Sequence, residues 1–201
     1  MRKILNIMND LYHSFKTLCG QRKSVRDFAD QPVSSEDIER IKQIALTSPY
    51  ASGRKNWNII VVDDKATIQK MAEVVRSRSE QLKERLQEDF VESYSAYAEH
   101  FSVFEKAPVI FVPIFRISPG LSYMLQEPDD TILQWERDSY VKSISCVAML
   151  ILLAAESLGL GGCYMTGALI AEEEIKKVIH IKKGRNIGSI IPAGYPRRID
   201  D

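Results

Sequence analysis

The chain opens on apolar residues at helical spacing. Ile4, Leu5, Met8, Leu11, Tyr12, Phe15 and Leu18 fall on one stripe, which predicts an amphipathic helix whose apolar side has to be covered by the rest of the chain or by a second subunit. A basic run follows, then PVSSEDIERIKQIALTSP. Pro32 breaks what precedes it, Ser34 with Asp37 three residues on predicts a cap, and Ile38, Ile41 and Ala45 share a face until Pro49. The β-branched run WNIIVVDD, residues 57–64, predicts a buried strand ended by acids. Residues 65–106 are rich in Glu, Lys, Arg, Gln and Ser, with Met71, Val74, Val75, Leu82 and Leu86 at helical intervals. They predict one or two solvent-facing helices. APVIFVPIFRI, residues 107–117, predicts a second strand, in which Pro113 points to an edge, a bulge or an early end because proline brings no N–H to a ladder. SPGLSYMLQEPDD follows as a loop.

The strongest helical signal runs from Ile132 to Leu158 and is apolar nearly all round from Ser143 onward. Such a helix belongs in the centre of a molecule or in a subunit interface. Gly159, Gly161 and Gly162 end it, GGCYMTG predicts a third strand and a tight loop, AEEEIKKVIHI a small helix, and IGSIIPAGYP a final strand. Helices and strands in this order do not alternate regularly enough for a doubly wound sheet, so the predicted class is α+β, in a single domain over residues 1–201.

At 201 residues and 45% hydrophobic content the chain can bury one sizeable core. Lys plus Arg and Asp plus Glu both number 27, so no global field recruits nucleic acid or an anionic membrane. Cys19, Cys146 and Cys163 lack CxxC spacing and suit a reducing compartment, and His13, His100 and His180 are too scattered to favour a metal site. No run approaches the roughly 20 uninterrupted apolar residues of a membrane span. Asn6, Asn9 and Asp10 interrupt the first helix before a signal-peptide core is complete. The expected setting is cytoplasmic.

One local concentration of charge remains, QRKSVRDF, residues 21–28. It reads either as a solvated turn or as an anion site in which Arg22 and Arg26 clasp a phosphate with forked bonds and Ser24 adds its hydroxyl. Neither a GxGxxG after a strand nor a GxxxxGK[ST] accompanies it, which excludes a Rossmann turn and a P-loop.

Three further segments change the balance. RKSVRDF is followed in order by QPVSSEDIERIKQIALTSPYASGRKNW, ESLGLGGCYMTG and IPAGYP. With these motifs at this spacing, the chain resembles along essentially its whole length the nitroreductase family of flavin mononucleotide (FMN) enzymes. In that family an Arg-x-Ser-x-Arg/Lys motif follows the first helix, and a Pro-Ser-x-x-Asn-x-Gln-Pro-Trp loop precedes the first core strand. The long central helix ends in Gly-Leu-Gly, and a Gly-Tyr-Pro lies near the end. The resemblance implies a three-layer α+β fold with a small, mostly antiparallel sheet flanked by helices, and a homodimer joined along the long helix with FMN at the interface. It also implies residue roles. Arg22 and Ser24 match positions that bind the flavin phosphate, with Lys23 supporting that end, and Arg26 matches the cation that reaches the pyrimidine side of the ring. A fixed positive charge there stabilises the reduced anion and raises the reduction potential. Tyr164, Met165, Thr166 and Gly167 match the segment over one ring edge, Thr166 and Gly167 as N–H donors, with backbone contact as the reason for small residues. Cys163 reads as a small buried residue beside the cofactor.

Two segments depart from the family pattern. In PYASGRKNW, Pro49 and Trp57 match, but Tyr50 stands for the usual Ser, Gly53 for Asn, and Lys55-Asn56 for Gln-Pro. Because the loop length is kept, Ala51, Ser52, Gly53 and Lys55 are expected to line the ribityl and ring edge. Lys55 reads as a second cation near the flavin, as a partner for an acidic substrate or a nicotinamide phosphate, or as a solvent-facing lysine. In GYPRRIDD, Arg197 and Arg198 stand where the family's longer tail brings a cation pair to the phosphate; one of them takes that role or both belong to a charged end.

The reaction implied by the resemblance needs no protein acid, base or nucleophile. NADPH or NADH passes hydride to the flavin and leaves, and an electron-poor acceptor such as a nitroaromatic or quinone takes its place, in ping-pong order. The altered loop leaves room for reductive dehalogenation, ene reduction or flavin fragmentation, and for a protein that only binds or stores flavin. A flavin-free interaction module with RKSVR as a surface turn is the remaining alternative.

Overall fold

The structure, a computed structural model, describes residues 2–53 and 56–197, the side chains of 2–6 and 52 excepted. Helix α1 (Arg2–Gln21) carries the predicted stripe. Its described part stays in solvent, with Ile7, Met8, Leu11, Tyr12 and Phe15 all more than half exposed. Helix α2 (Ser35–Ala45) starts at the predicted cap: Ser34 Oγ accepts the Asp37 N–H at 3.0 Å and donates to the Asp37 carboxylate at 2.8 Å. The region 65–106 forms helix α3 (Lys65–Lys83), a shorter α4 (Val91–Ala98) and several 3-10 turns. Helix α3 is more than a solvated helix, because Ile68, Met71, Ala72 and Val75 are buried.

Five strands make the sheet: β1 (Trp57–Val62), β2 (Val109–Phe115), β3 (Gly161–Gly162), β4 (Asn186–Ile187) and β5 (Ile191–Gly194). Their order is β1-β2-β5-β3 with β4 also beside β2, and every pair is antiparallel. Strand β2 is central and buried at every position, so Pro113 marks neither an edge nor an early end. Its carbonyl accepts the Gly188 N–H at 2.7 Å. A residue's N and C=O point to the same side of a strand, so the proline nitrogen faces the break between β4 and β5, where the ladder has no acceptor to leave unpaired. The predicted final strand is thus two short ones, and their interruption accommodates the proline.

Alternation along β2 builds two cores. Val109, Phe111 and Phe115 face helix α6 (Asp130–Ser157), joined by Trp57, Ile59, Tyr140, Ile144, Val147 and Ile151. Ile110, Val112 and Ile114 face α3 and helix α7 (Glu172–Val178), joined by Met71, Phe104, Met165 and Ile175. The result is the three-layer α+β arrangement, with the sheet between helices. Helix α6 is the one described helix long and apolar enough, by length and composition, to cross a membrane; here its apolar face is part of the core. Its outer side leaves Leu133, Trp135 and Met149 about half exposed. Gly159, at φ +76°, turns the chain out of α6, and the Leu160 N–H reaches back to the Ala155 carbonyl at 3.0 Å. Within the predicted loop at residues 118–130 there is a short helix, α5 (Leu121–Met124).

Ser34→Ala removes both capping bonds and is expected to lower stability by about 1 kcal/mol, seen as a fall in Tm of about 2–4 °C, whereas Ser34→Thr should keep most of the wild-type value.

Candidate cofactor site

Strand β3 is a pair of glycines because the basic run lies directly on it. The Val25 N–H donates to the Gly162 carbonyl at 3.0 Å, and Ser24 and Gly162 form a parallel bridge. A Cβ on Gly161 would stand 2.5 Å from one Val25 methyl and 2.7 Å from the Val25 Cβ. With Val25 turned inward, Lys23, Ser24 and Arg26 are exposed and Arg22 is partly buried. None of Arg22, Lys23 and Arg26 meets a carboxylate among the described residues, while Asp27 pairs with Arg197. Uncompensated cations fixed next to a hydroxyl suit an anion that accepts several charge-assisted bonds.

Beyond β3 the backbone alternates. Cys163 gives its N–H to the Pro192 carbonyl at 3.3 Å, and Met165 exchanges both backbone bonds with Ile190 at 3.0 and 2.9 Å. The intervening amides of Tyr164 and Thr166 therefore point the other way, to the edge that Ser24 and Val25 occupy at Gly162. Their side chains are exposed, whereas Cys163 and Met165 are buried. Met165 thus faces the core and has no N–H left for a ligand. Gly167 has a different reason for being small than the one expected: a Cβ there would lie 2.4 Å from the Phe101 ring, so packing demands the glycine.

The C-terminal segment returns along the basic run. Phe28 and Pro196 form an antiparallel bridge, and the Ala29 N–H donates to the Tyr195 carbonyl at 2.8 Å. The Arg197 guanidinium is held by the Asp27 carboxylate at 3.3 Å and the Phe28 carbonyl at 3.0 Å. It lines an open groove of about 790 Å³ with Phe28, Lys65 and Glu105, which none of residues 22–26 reaches. Arg198 lies outside the described residues.

The altered loop sits elsewhere. Ala51–Gly53 makes one 3-10 turn, and the Ala51 N–H donates to Ser143 Oγ at 3.0 Å. Tyr164 Oη lies 3.4 Å from Ser145 Oγ. Two residues on a helix are about 200° apart, so the loop and Tyr164 occupy opposite flanks of α6. The site residues therefore fall into two groups, 22–26 with 164–166 on one flank and 51–53 on the other. The Ser52 side chain and Lys55 lie outside the described residues. Tyr50 stacks on Trp57 with ring centroids 5.6 Å apart and lies 6.1 Å from Tyr140. Burial first, and Tyr140 second, push its ionisation well above the ordinary tyrosine range, so it remains a neutral packing residue. Asn56 donates to the Arg116 carbonyl at 2.7 Å and to Ser118 Oγ at 3.0 Å, tying the loop to the exit of β2.

Glu136, on α6, was not among the expected site residues. It is 6% exposed. Oε1 accepts the N–H groups of Gly120 and Ser122, each at 2.9 Å, and Oε2 accepts the Ser122 hydroxyl at 2.6 Å. The Ser122 hydroxyl first, then the Ser122 N–H, with smaller help from the Gly120 and Leu121 N–H groups, hold its carboxyl below the usual carboxylate range.

Comparison with known proteins identifies the family and the fold. The sequence model of the nitroreductase family matches residues 20–195. A protein of Archaeoglobus fulgidus carrying the name NADH dehydrogenase/NAD(P)H nitroreductase is 25% identical over 179 residues, covering 88% of this chain and 82% of its own. The iodotyrosine deiodinase of Nematostella vectensis is 28% identical over 195 residues, covering 94% of this chain and 68% of its own. Among solved structures, a BluB-like flavoprotein from Clostridium difficile superposes with a TM-score of 0.80 at 22% identity, covering 92% of this chain and 90% of its own. An iodotyrosine deiodinase bound to FMN and 3-iodo-L-tyrosine superposes with a TM-score of 0.68 at 20% identity, covering 91% and 90%.

Gly161→Ala forces Val25 off β3 and is expected to destabilise the protein by about 1–3 kcal/mol in urea unfolding. Gly20→Ala, at a helical glycine with nothing within 4 Å of the added carbon, should be neutral or stabilising.

Proposed function

The chain belongs to the nitroreductase family, and from that premise we propose that it binds FMN and transfers reducing equivalents from NADPH or NADH to an electron-poor acceptor such as a nitroaromatic or quinone. The observation that carries this reading is the row of cations at Arg22, Lys23 and Arg26, which meet no carboxylate among the described residues, set with Ser24 on the edge to which the Tyr164 and Thr166 amides point. Bound FMN supplies the capacity to take up and give back a hydride. The chain's own part is electrostatic. Arg22, Ser24 and Lys23 hold the phosphate, Arg26 sets a positive charge near the pyrimidine side, and the Thr166 amide donates at the ring edge. Of the terminal cations, Arg197 is already occupied by Asp27, which favours Arg198 for the phosphate.

A homodimer completes the site in this reading. Residues 51–53 lie across α6 from Tyr164, so the loop that meets one flavin, with Ser52 and Lys55, comes from a second copy of the chain. The exposed stripe of α1 and the outer side of α6 supply apolar surface for that contact. The name NADH dehydrogenase/NAD(P)H nitroreductase carried by one relative supports NADH or NADPH as the hydride donor, and we place the reaction in a single cytoplasmic domain. A second reading, reductive dehalogenation through the same flavin, is favoured by the 28% identity to an iodotyrosine deiodinase.

The purified protein with FMN should show a visible flavin band that bleaches anaerobically with NADPH or NADH; a band that persists with both donors would overturn the oxidoreductase reading in favour of flavin storage. Arg22→Ala removes a charge-assisted contact of about 1.5–3 kcal/mol, so FMN titration should give a Kd roughly 10- to 100-fold weaker, and an unchanged Kd would return the basic run to a surface turn. Dithionite-reduced protein mixed with 3-iodotyrosine separates the two reactions: iodide release supports dehalogenation, and nitroaromatic consumption without it supports the first reading.

A further inference from the structure

Glu136 raises the question of why a carboxylate is buried beneath a surface loop. A buried charge is costly unless its hydrogen bonds are met, and here every bond comes from residues 120–122. One turn along α6, Tyr140 donates to the Ser118 carbonyl at 2.9 Å, and Asn56 holds Ser118 Oγ from the other side. The segment 118–122 is thus fixed at several points as a rigid wall. Between that wall and α6 lies a cavity of about 280 Å³, lined by Ala51, Leu121, Trp135, Ser139 and Tyr140, with Glu136 the one charged lining residue among the described residues. The cavity is bounded on one side by Ala51, which belongs to the loop expected at the flavin, and Trp135, 56% exposed, stands at its rim.

We propose that this cavity is the acceptor's subsite, that it takes a neutral single-ring aromatic, and that Glu136 sets this preference, positioning the 118–122 wall and repelling anionic rings. This deepens the flavin oxidoreductase reading and rests on it. Leu121, Trp135 and Tyr140 offer apolar and aromatic surface for one ring, and the volume falls just under the range of pockets that hold drug-sized ligands. The carboxylate has its donors already and gains nothing from a second anion. A ligand carboxylate placed in the cavity meets a fixed negative charge across a partly desolvated gap.

The test uses the full-length protein, first without FMN, following quenching of tryptophan fluorescence by 4-nitrobenzyl alcohol and by 4-nitrobenzoate, with Trp135→Phe as the blank for Trp57. Wild type should bind the alcohol saturably and about tenfold or more tighter than the benzoate. Glu136→Gln keeps the shape of the clasp and removes the charge, and should bring the two Kd values within about threefold of each other. Ser139→Leu, which fills the cavity without touching the clasp, should abolish saturable quenching by the alcohol. Equal wild-type affinities, tighter benzoate binding, or a ratio unchanged in Glu136→Gln would overturn the proposal. The FMN-loaded protein then separates the two levels. Normal bleaching by NAD(P)H without ring selectivity overturns the subsite and leaves the oxidoreductase reading standing, whereas ring selectivity without bleaching supports the subsite and overturns that reading.

Discussion

Helix α6 buries its inner face against the sheet and packs along α2, and it also touches α1 and α5. Tyr140, Ile144, Val147 and Ile151 meet Trp57, Ile59 and Phe111, while Trp135 and Met149 stand about half exposed. Each large apolar side chain taken from water contributes about 1.5–3 kcal/mol, so the covered face anchors the fold, while the outer side and the stripe of α1 keep apolar side chains exposed. Both flanks of the same helix also fix the candidate site. Ser143 holds the Ala51 turn, Ser145 meets Tyr164, and the distance between these attachments is set by the helix itself.

The basic run depends on a second constraint, the absence of side chains on β3. Gly161 and Gly162 let the backbone of Ser24 and Val25 approach as a parallel neighbour. Val25 then anchors the run inward, and the cations are left facing outward with no acid paired to them among the described residues. Asp27, the adjacent acid, is drawn away by Arg197. Positive charge is thus concentrated locally in a protein whose formal net charge is zero.

Much of this was legible in the residues because it is local or periodic. The Ser34 cap, the β1 run and the all-round apolarity of α6 each follow from spacing within a dozen or so residues. What escaped depends on contacts distant in sequence. Pro113 sits in mid-sheet only because the last strand breaks at Gly188, more than seventy positions later. Gly167 is small because of Phe101, and Tyr50 replaces the family serine because Trp57 and Tyr140 receive its ring. Glu136 lies in the polar first half of a helix, where an acid reads as solvated; its burial is created by the 118–122 segment folding back over it.

Native mass spectrometry of the protein purified with saturating FMN tests the shared site most directly. Two chains carrying two FMN molecules, with no flavin on the single-chain species, is the expected result. A single chain that holds FMN by itself would contradict a site assembled from both flanks of α6.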